Sequence, residues 1–281
     1  MLEVLSAVTG ESIAVFEHEE FADAPVKALK QRLAQKIGFP RFRLRLLQDK
    51  CQLNDDQTLE MEVVQLVVLE FLPPNMEQDR EIMVACWANG HKLLEKHLKE
   101  PRNPNFEDAH HGIMPLHAAA SNGSLNCVLL LLEAGAEKNK GRRDTGATPL
   151  YLAAQNGHLE VVRILVGSGA IKDQGLTRSG ATPLHTAAQS GHIEIVRLLV
   201  ESGANKDPGT DTGTTPLYMA VAMGHIEVIR VLVESGANKD QGRTDNGHTP
   251  LVVAAQLGRV EIVRYLADTK FAQKSLRTGG G

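Results

Sequence analysis

The residues best suited to chemistry in this chain are histidines set at a regular interval. His158, His192 and His225 each follow a glycine and lie 34 and 33 residues apart. Imidazole is the commonest metal ligand, so such a series raises the question of a metal site. Units piled about 10 Å apart, the spacing at which helices pack, would hold these rings too far apart to share one ion. Each histidine then recurs because it opens the same structural element. His117 and His185 both follow Pro-Leu, where Tyr151, Tyr218 and Val252 stand in other copies. Interchange with tyrosine and valine suits packing or the bracing of a loop, not proton transfer. Gly203 to Gly209 faintly mimics a phosphate loop, but the spacing is wrong and no lysine follows. HExxH, GxSxG, GxGxxG and GxxxxGK[ST] are absent. No catalytic, cofactor-binding or metal-ligating residues are therefore expected, and no cofactor.

The elements behind this spacing repeat. Thr-Pro-Leu begins at Thr148, Thr182, Thr215 and Thr249, with Met114-Pro115-Leu116 one period earlier, at intervals of 34, 34, 33 and 34 residues. Residues 182–207 and 215–240 are identical at 18 of 26 positions without a gap, too many for coincidence. Within a unit, Thr182 suits a helix N-cap, Pro183 the first helical position and Gly191 a left-handed turn. A second helix over 192–201 carries Ile193, Ile195, Val196, Leu198, Leu199 and Val200, a stripe wide enough to be covered on more than one side. Gly203 ends it, and residues 205–214 read as an exposed, hairpin-like loop. Units of this size bury their apolar faces only against one another, which predicts a solenoid.

The run TPLxxAAxxGHxEIVRLLVxxGA and its near copies resemble the ankyrin repeat over residues 77–270. Five units start near 114, 148, 182, 215 and 249. A degenerate N-terminal cap over 77–109 precedes them, with Ala88-Asn89-Gly90-His91 echoing Gln155-Asn156-Gly157-His158. The last unit ends in Ala267-Asp268-Thr269-Lys270, a more polar close that suits a C-terminal cap. The resemblance implies that a protein partner contacts the hairpin tips and the ends of the first helices. Position by position these are Asp144, Thr145, Ala147, Gln155 and Asn156; Arg178, Ser179, Ala181, Gln189 and Ser190; Asp211, Thr212, Thr214, Ala222 and Met223; and Asp245, Asn246, His248, Gln256 and Leu257. Met223 and Leu257 are candidate apolar anchors within a polar rim; the alternative is partial burial against a neighbouring unit.

Residues 1–72 differ in character. A hairpin is expected from Met1–Val8 and Ser12–Glu17 around Thr9-Gly10-Glu11. The spacing of Val26, Leu29, Leu33 and Ile37 predicts a helix over 25–38. Arg41, Arg43 and Arg45 alternate with Phe42, Leu44 and Leu46, which predicts a half-buried strand with a basic outer face. A turn at 55–59 and a strand at 64–71 follow. The order β-β-α-β-β, with Lys36-Ile37-Gly38-Phe39-Pro40, Arg45-Leu46-Leu47 and Gln52-Leu53-Asn54-Asp55-Asp56-Gln57-Thr58-Leu59, resembles the ubiquitin-like β-grasp. Glu3 departs from it, standing where an inward apolar residue is expected. The resemblance implies a recognition patch at Val8, Leu47 and Leu69, flanked by Arg41, Arg43 and Arg45; the alternative is that only the fold is shared. Trp87, in a slot held by alanine in later units, either fills the end cap or docks the N-terminal domain.

The expected architecture is thus multidomain. A ubiquitin-like α+β domain over 1–72 and a Pro-containing linker over 73–76 lead into an all-α solenoid of about six units over 77–270, with a flexible tail over 271–281. The end of that tail, Ser275-Leu276-Arg277-Thr278-Gly279-Gly280-Gly281, is not expected to conjugate as ubiquitin's does, because a β-grasp body should carry it directly. Residues 1–72 hold eight basic and twelve acidic residues and 73–281 hold 22 of each, without the basic excess that nucleic acid requires. Three widely spaced cysteines, no basic leader and no apolar run of about 20 residues point to a reducing interior and no membrane span. The expectation is a monomeric, cytoplasmic, non-catalytic protein-binding adaptor, with the nucleus as the alternative location. Its head would engage receptors of the ubiquitin or proteasome type. The alternatives are a structural tether for membrane or cytoskeletal proteins with an inert head, or a regulatory fragment of a larger enzyme.

Overall fold

The computed structural model describes residues 2–7, 9, 11–16, 25–48, 51–58 and 63–268. Val8 and the tail over 271–281 lie outside them. The chain divides into two compact units, one of Met1–Phe106, Met114–Leu116 and Asn126–Glu137, the other of Glu107–Ile113, His117–Leu125 and Lys138–Gly281.

The first unit holds a mixed five-stranded sheet. Strands β1 (Leu2–Ser6), β2 (Ser12–Phe16), β3 (Leu44–Gln48), β4 (Cys51–Gln52) and β5 (Val63–Val68) lie in the order β2-β1-β5-β3-β4. The β1–β5 pair is parallel, and the β1–β2, β3–β5 and β3–β4 pairs are antiparallel. Helix α1 (Val26–Ile37) covers one face, with Val26, Leu29 and Leu33 sealed against Leu2, Val4, Leu44, Leu46, Val64 and Leu66. Pro25 starts this helix in an extended conformation. Gly38 ends it at φ 74°, a left-handed position that costs a residue without Cβ little. Leu2 and Val4 are the inward residues of β1, so Glu3 points outward and raises no conflict with a covered sheet. The strand expected from the arginine alternation begins late: Pro40 leads Arg41–Arg43 into a 3₁₀ turn, and β3 starts only at Leu44. The same unit contains α2 (Met76–Trp87) and α3 (His91–Leu98). Asn75 caps α2 by accepting the Glu77 and Gln78 N–H groups at 3.1 and 3.2 Å. Trp87 stands half-exposed at the end of α2.

Helices α4 (Pro115–Ser121) and α5 (Leu125–Glu133) follow in the chain, and then come helix pairs: α6 (Pro149–Gln155) with α7 (Leu159–Gly167), α8 (Pro183–Ser190) with α9 (Ile193–Glu201), α10 (Pro216–Met223) with α11 (Ile226–Glu234), and α12 (Pro250–Gln256) with α13 over 260–268. In the second unit the first helices α6, α8, α10 and α12 pack in series, and so do α7, α9 and α11. One pair shows the construction. Thr182 precedes Pro183 at the first helical position, Gly191 turns the chain at φ 75°, and α9 returns. Leu184, Ala187, Ala188, Val196 and Leu199 are fully buried, each leucine contributing about 1.5–3 kcal/mol by leaving water. Alanine at 187 and 188 keeps successive first helices close. No helix among the described residues is long and apolar enough to cross a membrane.

Candidate functional site

The periodic histidines are structural locks. The Nε2 N–H of His158 donates to the Ser121 carbonyl at 3.0 Å, that of His192 to Gln155 at 3.1 Å and that of His225 to Gln189 at 2.9 Å. Each ring satisfies a carbonyl left open at the C-terminal end of the preceding first helix. It also lies over the preceding turn glycine: a Cβ on Gly123, Gly157 or Gly191 would meet His158, His192 or His225 within 2.5–2.8 Å. Arg259 fills the histidine slot of the last pair, donating to the Ala222 carbonyl at 2.7 Å. Sequence reasoning missed Arg259 because it sought histidine, although the residue stands in register. Among the described residues no group of three or more His, Cys, Asp or Glu comes together to hold a metal ion.

The tips are braced in three further ways. His117 Nε2 donates to the Lys140 carbonyl at 2.8 Å, and His185 Nε2 to Thr214 at 2.9 Å, tying first helices to the loops that follow. Burial drives the His117 pKa down to about 4 and lowers that of His185, so both rings are neutral near pH 7. Backbone bonds join tip to tip, with the N–H of Thr177, Asp211 and Thr244 donating to the carbonyls of Thr145, Ser179 and Thr212, each at 3.0 Å. Asn139, Asp173 and Asp207 accept the N–H of Ile171, Asn205 and Asn238, one pair later, at 2.9, 2.9 and 2.7 Å. This second series recurs with the period of the repeat, which was the signal that could have revealed it.

On this rigid frame the expected contact residues fall into three groups. Arg178, Gln189, Ser190 and Gln256 are exposed. A second group is engaged internally: Asp144 pairs with Arg142 at 2.6 Å, Asp245 pairs with Arg243, and Thr212 bonds the Thr210 and Thr214 hydroxyls. Asn246 accepts the His248 N–H at 2.9 Å, and Asn156 donates to the Ser121 carbonyl at 2.7 Å, which makes Asn156 a clamp between pairs. Thr145, Gln155, Ser179, Asp211 and Ala222 lend backbone groups to the bonds above; Thr145, Gln155 and Asp211 are exposed, while Ser179 and Ala222 are half-buried. Ala147 and Thr214 form the third group; both are buried, Ala147 beside Tyr151 and Leu152, and so are not surface positions. Met223 is 47% exposed and Leu257 is 54% exposed. They occupy the same place in consecutive pairs, and α10 packs beside α12, so one face carries both.

In the first unit the basic residues do not form the expected outer face. Arg41 is only 1% exposed, its guanidinium held by Asp55 at 3.1 Å and by Glu133 at 2.7 Å. The 3₁₀ turn aims it inward, where the alternation of an extended strand would have aimed it out. Lys30, also buried, reaches the other Asp55 oxygen at 2.6 Å. Burial lowers the Lys30 pKa against the pull of Asp55. Burial works to raise the Asp55 carboxyl, but Lys30, Arg41 and Arg45 outweigh it and hold it below the usual range. Arg43 donates to the Leu69 carbonyl at 2.6 Å and stacks on Phe39 and Phe71, while Arg45 donates to the carbonyls of Phe42, Leu44 and Lys99. A cavity of about 480 Å³ lies among Lys30, Arg41, Arg45, Asp55 and Lys99, yet the first three cations already have partners. Leu47, on the strand face away from the core, and Leu69 are half-buried.

The family model described as Ankyrin repeats (3 copies) matches residues 82–175, 171–242 and 205–278. No curated protein matches the chain.

Proposed function

This chain belongs to the ankyrin-repeat family, whose repeats generally mediate protein–protein interaction and whose members are typically non-catalytic; from that premise we propose that it is a non-catalytic adaptor. Its protein partner contacts the first-helix ends and tips of the second unit. The observation that carries this reading is the exposure of Met223 and Leu257 at equivalent positions of adjacent pairs. Water-exposed apolar side chains, flanked by exposed Gln189, Ser190 and Gln256, give a partner an anchor with a polar rim. The hydrogen-bonded tips hold the surface in one shape before binding, which lowers the ordering cost of association.

The first unit supplies a second contact in this proposal. The strand order β2-β1-β5-β3-β4 with a parallel β1–β5 pair and one covering helix supports a ubiquitin-like β-grasp. Leu47 and Leu69 are then the surface offered to receptors of ubiquitin-like folds, without Arg41. Sealed Cys86 and Cys127 thiols, the latter pushed up to about 11 by burial, suit a reducing cytoplasm.

Quantitative affinity capture with the full chain tests the adaptor reading. Met223→Ala/Leu257→Ala is expected to lose a specific protein that the parent chain retains, at about 1–2 kcal/mol per truncated side chain, with unchanged thermal stability. Equal capture by both chains would remove this face from the proposal.

A further inference from the structure

The cavity of the first unit holds more positive charge than its carboxylates answer. Lys30 and Arg41 share Asp55, and Arg41 also meets Glu133, so these cations and carboxylates close on one another. Arg45 and Lys99 complete the basic wall. Among the described residues the Arg45 guanidinium donates to the carbonyls of Phe42, Leu44 and Lys99, which take N–H groups but bring no countercharge. Three acceptors serve a group with five N–H donors, so donors remain for a ligand. Burial presses this guanidinium toward its neutral form against a weaker pull from Asp55. A guanidinium stays charged at any working pH, so a half-buried one without a bonded anion gains from receiving one. Lys99, exposed at the end of α3, adds a second positive charge at the mouth.

The walls select the anion. A phosphate monoester carries close to two negative charges at neutral pH, enough to answer Arg45 and Lys99 together, where a carboxylate answers one. The cavity of about 480 Å³ is much larger than a phosphoryl group and lies in the range of sites that hold a small molecule whole. Polar groups also line it. The Gln57 side-chain oxygen accepts the Asn54 N–H at 2.8 Å, which leaves its amide nitrogen as a donor. Exposed Asp56 accepts hydroxyl groups and repels further negative charge. We propose that this cavity binds a small phosphate monoester whose body carries hydroxyl groups, with Arg45 and Lys99 on the phosphoryl oxygens. Arg45 lies on β3 and Lys99 closes α3, so the bound anion also ties the sheet to a helix of the same unit.

Nuclear magnetic resonance titration of the isotope-labelled full chain at low salt tests the proposal, with glycerophosphate as probe and glycerol and inorganic phosphate as controls. Saturable shifts at the Arg45, Gln57 and Lys99 amides are expected with glycerophosphate, weaker binding with inorganic phosphate and none with glycerol. Lys99→Gln should weaken binding about threefold and Arg45→Gln about tenfold. Asp56→Asn should tighten it about threefold, a gain that a loosened fold does not produce. Lys99 and Asp56 are exposed, so their variants decide the matter even where Arg45→Gln fails to fold. No saturation in the millimolar range, equal affinity for inorganic phosphate, or affinity unchanged in Lys99→Gln and Asp56→Asn would overturn the proposal. So would a phosphoserine peptide that binds more tightly than glycerophosphate, which would make the ligand a protein.

Discussion

His192 reaches Gln155 across 37 residues of sequence with a ring at the protein surface. Arg41 reaches Glu133 across 92 residues with a full charge almost entirely out of water. The first kind of link is made by His158, His192, His225 and Arg259 in turn, so no single one is indispensable. The second kind centres on Arg41, with Lys30 beside it on the same Asp55, and its failure strands carboxylates beside a buried site. A repeat architecture therefore spreads its polar linkage over many modest bonds, whereas the first unit concentrates it at one guanidinium.

The sharpest way to break this contrast is Arg41→Ala. It is expected to destabilise the first unit by about 3–4 kcal/mol, toward the low end for a broken buried pair because Asp55 and Glu133 keep some solvent. Trp87, the single tryptophan, lies in that unit, so its fluorescence in a urea titration reports the loss. An unchanged midpoint would show that the guanidinium is not the critical link. Next in size is an acid limb. The folded state holds His117 at about 4 against an ordinary 6.5, so between those values the unfolded chain takes up a proton that the fold refuses. Stability is thus complete above pH 7 and falls as pH drops from 6.5 toward 4, by at most about 3 kcal/mol. His117→Tyr, the residue found at this place in α6 and α10, should flatten that limb in denaturation curves recorded from pH 7 to 4.5.

Smaller effects test the distributed side of the comparison. Gly191→Ala places a Cβ within 2.8 Å of the His225 ring at a φ of 75° and should cost about 2 kcal/mol in thermal unfolding. A loss far above that would mean that one lock governs its neighbours. Asp173→Ala removes the acceptor for the Asn205 N–H and is expected to cost only about 1 kcal/mol by chemical denaturation.

Much of the fold was legible beforehand, and for local reasons. The Thr-Pro-Leu starts became the N-termini of α6, α8, α10 and α12, because a threonine cap and a first-turn proline act within three residues of themselves. The apolar spacing of Val26, Leu29 and Leu33 yielded α1 for the same kind of reason. The candidate surface was less legible. Gln189 and Ala147 look equally available in the string of letters, but Ala147 is sealed beneath Tyr151 and Leu152. Arg41 fitted an alternating pattern until Pro40 turned the chain, and no residue near it announces Glu133.

The sequence by itself determined the period of this protein, the limits of most helices and the glycine turns, since steric preference and 3.6-residue patterning operate over a few neighbouring residues. Tertiary structure alone decided which arginine is interred, which ring closes which carbonyl and which apolar side chains meet water. Those outcomes depend on groups about 30 to 90 positions away, whose approach no local pattern encodes.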